Sequence, residues 1–219
     1  MTAPKRRDRR SLLRQGGLAV SAALLGGCAS QAQRATATSA RANTLIMIIR
    51  HAEKPAGSGA SQGIDIDGNP DAHSLTVRGW TRAGALVPLF AGAGAGRGLV
   101  TPTSIYASGG DGGTGQRPRE TVTPLAARLG LRLQTGYARG AESQLMAAVA
   151  VRPGPTLISW QHEEIPALVA ALAGVDPAPP AGWPDDRFDL VWMLTPAGQG
   201  WSFRQLPQLL LDGDSDSPA

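Results

Sequence analysis

Thr44-Leu45-Ile46-Met47-Ile48-Ile49-Arg50-His51 places an unbroken apolar run, Leu45 to Ile49, directly before an arginine and a histidine. A strand with one solvated face alternates apolar and polar residues, whereas a continuous run belongs to a strand covered on both faces. Further short apolar runs follow at 104–108, 156–160 and 189–194, and an alternating stretch at 201–206 reads as an edge strand. Between them, apolar residues recur at helical spacing over 76–90, 116–129, 142–151 and 165–173. Strand and helix in alternation predict an α/β domain, a three-layer sandwich with helices on both faces of a mostly parallel sheet. The Gly-, Pro- and Asp-rich stretches 55–73, 109–115 and 175–186 read as loops, and no internal repeat is present. In open α/β sheets ligands bind beyond the carboxyl ends of the strands, which directs attention to the residues after Ile49, Ala107 and Trp160.

The chain has 219 residues, enough for one domain with an appended segment. Apolar residues at 42% and charged residues at 17% suit a packed core and exclude wholesale disorder. One cysteine excludes an intrachain disulfide framework and a cysteine-based zinc finger. The formal charge is +4, but residues 1–28 alone carry +5 (Lys5, Arg6, Arg7, Arg9, Arg10 and Arg14 against Asp8), which leaves −1 for residues 29–219. The body therefore offers no global attraction for nucleic acid. Residues 1–28 have the layout of an export signal: a basic region, a mildly apolar run from Gly16 to Gly27, then Cys28. Arg9-Arg10-Ser11-Leu12-Leu13-Arg14 resembles a twin-arginine motif, and Leu25-Gly26-Gly27-Cys28 resembles a lipobox. An uncleaved anchor is the alternative, but a run of roughly 12 apolar residues is short for a bilayer. The organisation expected is a signal over 1–28, a flexible tether over 29–43, and a catalytic domain over 44–219. Cys28 would carry a lipid that holds the protein on the extracytoplasmic side of a bacterial membrane, in the periplasm.

Four motifs stand in order at the expected strand ends and helix starts. They are Ile48-Ile49-Arg50-His51-Ala52; Leu75-Thr76-Val77-Arg78-Gly79; Ser108 followed by Arg117-Pro118-Arg119-Glu120-Thr121; and Leu157-Ile158-Ser159-Trp160-Gln161-His162. Over 44–206 the chain resembles the histidine phosphatase superfamily, with its phosphoglycerate-mutase-like fold. The departures are Ala52 in a glycine position and four extra residues between Ser108 and Arg117. The resemblance implies hydrolysis of a phosphomonoester through a phosphohistidine on His51, without metal or other cofactor.

The residue types suit that chemistry. A phosphoryl group in transfer needs its charged oxygens neutralised, and Arg50 and Arg117 offer planar paired donors. His51 attacks only as neutral imidazole, and nearby guanidinium charges favour that form. His162 would complete the anion cradle, and Lys54 would widen it. The leaving oxygen needs a proton, for which Glu163, Glu142 and Glu53 are candidates. A phosphate- or phosphoglycan-binding lipoprotein with weak catalysis, or a phosphomutase, are the alternative functions. Other strings carry less. Gly59-Ala60-Ser61-Gln62-Gly63 fits a nucleophile-elbow string but sits inside a loop, and Gly92-Ala93-Gly94-Ala95-Gly96-Arg97-Gly98 lacks the Lys-Ser/Thr of a phosphate loop. His73 with Asp65, Asp67 and Asp71 offers oxygen ligands for a cation or, more simply, a solvated acidic surface. The tryptophans 160, 183, 192 and 201 read mainly as core, with Trp160 beside the site.

Overall fold

Alternate side chains of the first strand leave on opposite faces and are buried on both. Ile46 and Ile48 enter one hydrophobic cluster while Met47 and Ile49 enter another, and all four are fully buried. The computed structural model describes residues 43–57, 61–92, 97–110 and 113–218. The twin-arginine string, Cys28, the tether up to residue 42, Gly59 and Ala60 of the elbow-like string, residues 93–96 and residues 111–112 of the 109–115 loop lie outside them. In chain order the elements are β1 (Thr44–Arg50), α1 (Val77–Ala91), β2 (Ser104–Ala107), α2 (Gln116–Leu129), β3 (Leu133–Gln134), α3 (Glu142–Val149), β4 (Gly154–Trp160), α4 (Ile165–Ala170), β5 (Val175–Asp176), β6 (Leu190–Ala197) and β7 (Gly200–Pro207). A 3₁₀ turn, His162–Glu164, leads into α4.

The strands form one sheet in the order β3-β2-β4-β1-β6-β7-β5. The pairs β1/β4, β2/β4, β2/β3 and β5/β7 are parallel, while β1/β6 and β6/β7 are antiparallel. The expected three-layer α/β architecture is therefore present. Helices α3 and α4 supply Leu145, Met146, Val149, Ile165, Leu168 and Val169 to one face. Helices α1 and α2 supply Leu86, Leu89, Phe90, Val122, Leu125 and Ala126 to the other. The period-2 split repeats along β6, where Leu190, Trp192 and Leu194 face the first cluster and Val191 and Met193 the second. The four helices begin within a residue of where the periodicity starts them. Two end sooner, α3 at Val149 and α4 at Ala170, where the Ala150 and Ala171 N–H groups close onto carbonyls of their last turns. The closing strand is not the outermost: Val175 and Asp176 pair with Trp201 and Ser202. Both outer strands, β3 and β5, are two residues long, too short for any period to register, and such stubs leave little edge open to mispairing. Among the described residues, no helix is long and apolar enough to cross a membrane.

Two features of α1 aim the first strand's end. Thr76 caps the helix by accepting from the Gly79 N–H at 3.2 Å, and the Thr76 N–H donates to the Glu53 carbonyl at 3.0 Å. Gly79 lets the helix approach closely, since a Cβ there would stand 2.4 Å from the Glu53 carbonyl oxygen. On the exposed side of the same helix, a Cβ at Gly84 would meet nothing within 4 Å. Gly79→Ala is therefore expected to destabilise the protein by roughly 1–3 kcal/mol through overpacking. Gly84→Ala should stabilise it by roughly 0.5–1 kcal/mol through helix propensity. Opposite shifts of the denaturant midpoint check this pair; equal shifts would contradict the packing of α1 on residue 53.

Candidate active site

Parallel register brings the two histidine segments together. Arg50 pairs with Trp160 at the ends of β1 and β4, and the His51 N–H donates to the Trp160 carbonyl at 2.9 Å, so residues 51 and 161–162 leave the sheet side by side. On the other flank of β4, Ala107 pairs with Ser159, and the Ser108 N–H donates to the Ser159 carbonyl. Ser108 Oγ in turn accepts from Gln161 Nε2 at 3.1 Å. Three strand ends thus meet at one rim of the sheet, where side chains face a cavity rather than a helix layer.

His51 is 3% exposed, and its Nδ1 lies 2.7 Å from the Ala52 carbonyl oxygen. A carbonyl only accepts, so Nδ1 carries the proton and Nε2 keeps the lone pair. Burial holds the pKa down at about 3, and the Arg50, Arg117 and Lys54 charges add to it, against the hydrogen bond to Ala52 that raises it. The imidazole is accordingly neutral near pH 7. Thr121, fully buried on α2, accepts from the Ala52 N–H at 2.8 Å and donates to the Arg117 carbonyl at 2.7 Å, which couples the histidine's turn to the first turn of α2.

The two arginines are held by backbone. Arg50 Nη1 donates to the carbonyls of Pro184, Asp185 and Arg187 at 3.2, 2.6 and 3.2 Å, and its guanidinium lies 3.8 Å over the Phe188 ring. Burial lowers its pKa to about 10. Arg117 Nη2 donates to the Ala72 carbonyl at 3.0 Å, and burial lowers the pKa of this guanidinium too. In both, Nε is buried with no hydrogen-bond partner. Gln161 Oε1 and His162 Nδ1 are also buried and unpartnered. His162 Nε2 donates to Asp185 Oδ1 at 2.8 Å, while Glu163 Oε2 lies 3.0 Å from Nδ1 without hydrogen-bonding alignment.

A cavity of about 200 Å³ opens on this rim; His51, Arg117 and Gln161 line it, with His73, Arg139 and the backbone around Gly113–Gly115. It is smaller and more polar than the usual 300–1,000 Å³ apolar site for a drug-sized ligand. Arg50 and His162 stand at the same strand ends but do not line the cavity, and the remaining sequence candidates do not line it either. Glu53 accepts from Arg78 and Arg82, and Arg82 also pairs with Asp214, so Glu53 anchors the turn after His51. Glu142 Oε1 accepts from Trp160 Nε1 and the Gly140 N–H, both at 3.1 Å. Glu163 is half-exposed beside His162, and Lys54 is half-buried, its charge acting on His51. Trp160 packs fully buried in the core on the α3 side. The cation alternative for the acidic loop finds no support: among the described residues no group of three or more His, Cys, Asp or Glu side chains gathers as for a metal, and Asp65 and Asp71 accept local turn hydrogen bonds. Sequence reasoning missed Gln161, Arg139, Asp185 and Phe188, and did not place His73 in a cavity. Of these only Gln161 carried a signal, its position directly after β4.

No protein-family model matches the chain, and no curated protein matches it. Solved structures do resemble it. The putative phosphohistidine phosphatase SixA from Agrobacterium tumefaciens is 19% identical, with 75% of this chain and 97% of that chain covered and a TM-score of 0.45. The protein histidine phosphatase SixA complexed with tungstate is 15% identical over 75% of this chain and 97% of that chain, with a TM-score of 0.49. A mycobacterial glucosyl-3-phosphoglycerate phosphatase is 17% identical over 74% and 96%, with a TM-score of 0.44.

The buried neutral imidazole has a consequence for acid stability. Above pH 6.5 His51 is neutral folded or unfolded; as the pH falls from 6.5 toward 3 the unfolded chain takes up a proton that the folded chain refuses, and stability is lost. At pH 4.5 this loss amounts to roughly 2–3 kcal/mol. His51→Asn should therefore lose less stability than wild type between pH 7 and pH 4.5, by about that amount, in denaturant titrations. Identical losses in the two proteins would contradict a buried, neutral His51.

Proposed function

We propose that residues 44–219 form a phosphatase of the histidine phosphatase type, hydrolysing a small phosphomonoester through a phosphohistidine on His51. One observation carries the reading: two guanidinium Nε–H donors, on Arg50 and Arg117, are buried without partners while both charges bear on a neutral imidazole. An unpaired buried donor on a cation costs several kcal/mol, and a tetrahedral oxyanion is the ligand that would satisfy both. A bound phosphoryl group would take its remaining contacts from the second Nε2 proton of Gln161 and, with the ring protonated on both nitrogens, from Nδ1 of His162, with Lys54 adding charge. His51 Nε2 then attacks phosphorus, the bond to the leaving oxygen breaks, and water later cleaves the N–P bond. The imidazole is itself the nucleophile, so the route needs no metal-bound hydroxide.

We also propose that residues 1–28 export the chain and that Cys28 carries a lipid anchor on the extracytoplasmic side of a bacterial membrane. The support is the order of basic region, mildly apolar run and lipobox-like Leu25-Gly26-Gly27-Cys28. Cys28→Ser should move the protein from the membrane fraction to the soluble fraction and abolish incorporation of labelled fatty acid. Unchanged fractionation would refute the anchor.

The activity is tested with para-nitrophenyl phosphate. Wild type should turn it over and yield an acid-labile phosphoenzyme, and His51→Ala should give neither. Arg117→Ala should lower kcat by about 10²–10³-fold, as expected for loss of one charged donor. Vanadate binding by wild type without turnover would point instead to a phosphate-binding protein, and equal turnover by wild type and His51→Ala would end the proposal.

A further inference from the structure

Phosphoryl transfer to His51 leaves an alkoxide unless a proton arrives with the departing oxygen. In-line displacement puts that oxygen on the far side of phosphorus from the attacking nitrogen. The donor must therefore stand on another wall of the cavity that holds His51, within about 3 Å of the leaving oxygen. None of the three carboxylates suggested by the sequence lines that cavity among the described residues. Glu53 is tied by Arg78 and Arg82, Glu142 by an indole and a backbone N–H, and Glu163 lies against His162 Nδ1, off the cavity lining.

His73 does line it. It sits in the loop before α1, on a segment distinct from the one carrying His51, and that loop is fastened to the phosphate side of the cavity. Arg117 Nη2 donates to the carbonyl of Ala72, the residue before it. The His73 N–H donates to Asp71 Oδ1 at 2.8 Å, and fully buried Ser74 donates to Glu120 Oε1 at 2.7 Å, the Glu120 carboxylate also accepting the Leu75 N–H. The ring lies flush against Gly113, where a Cβ would come within 2.5 Å of it. An imidazole is the commonest general acid in enzymes, and here one, on an exposed residue at the cavity's edge, is carried by a backbone anchored beside the arginine that would hold the phosphoryl group.

We infer that His73 is the general acid that protonates the leaving group, an assignment that rests on the phosphatase reading above. As the His51 Nε2–P bond forms and the P–O bond breaks, the His73 ring N–H proton passes to the leaving oxygen and an alcohol departs. The neutral His73 then takes a proton from the water that attacks phosphorus. The N–P bond breaks, inorganic phosphate leaves, and His73 is again the acid.

The test is the dependence on leaving group. An alkyl phosphate needs the proton; para-nitrophenyl phosphate, with a stable phenolate leaving group, does not. The measured quantity is kcat/KM, which reports steps up to phosphoenzyme formation and is blind to its later hydrolysis. His73→Gln should lower kcat/KM for an alkyl phosphate by about 10²-fold or more, while para-nitrophenyl phosphate changes by less than about threefold. His73→Asn should behave alike, and the retained nitrophenyl activity shows that each variant is folded. Equal loss on both substrates, no loss on either, or the selective loss appearing in Glu163→Gln instead would each overturn the assignment. Failure of wild type on both substrates would be a different result, one that removes the phosphatase reading and this inference with it.

Discussion

Arg50 is a buried cation solvated by carbonyl oxygens, and much of the site is arranged around that contact. Its Nη1 gathers the carbonyls of residues 184, 185 and 187, which draws the loop before β6 across the ends of β1 and β4. The same loop delivers Asp185 to His162 and lays Phe188 under the guanidinium and 6.2 Å from the His51 ring. Carbonyl dipoles hold a cation without cancelling its charge. Its positive charge therefore still acts on His51, as the proposed nucleophile and oxyanion would require.

Arg82 shows the opposite arrangement 32 positions further along the chain. It is as buried as Arg50, yet it faces two carboxylates, Glu53 and Asp214, and they push its pKa upward where burial alone pushes that of Arg50 down. A cation closed by two anions has no capacity left for a ligand. It fastens the turn after His51 to the C-terminal segment, where Asp214 Oδ2 also accepts the Leu210 and Leu211 N–H groups. The two arginines differ in one property, whether carboxylates or carbonyls take their hydrogen bonds.

How much of this is legible in the sequence follows from how local each cause is. Strand β1 is legible because burial on both faces prints a continuous apolar run, and α1 and α2 because a 3.6-residue period is a short-range signal, to which α1 adds a capping threonine. The strand ends at 50, 107 and 160 locate the rim, and the register of β1 on β4 does the rest. His73 is not legible: nothing within its own loop says that Ala72 will accept from Arg117, a contact spanning 45 positions. Nor does the string around Glu142 reveal that the Trp160 indole will take its carboxylate, 18 positions away. Helix and strand positions follow from near neighbours, whereas the ownership of a carboxylate is decided by whichever distant donor reaches it first.

The two departures from the family pattern can be followed into the packing. The methyl of Ala52 joins Leu75 and Ala83 in a small buried cluster against Trp80, while its N–H and carbonyl keep Thr121 and His51 in place. A side chain at this position therefore occupies buried apolar space. The longer connection between Ser108 and Arg117 folds back through Gly113 and Gly115, both at positive φ, with Gly115 packed where a Cβ would stand 2.5 Å from two carbonyl oxygens. That return path is what sets Gly113 against the His73 ring. The stretch Gly113–Gly115 thus forms a wall of the cavity, facing the one that His51 and Gln161 supply at the strand ends.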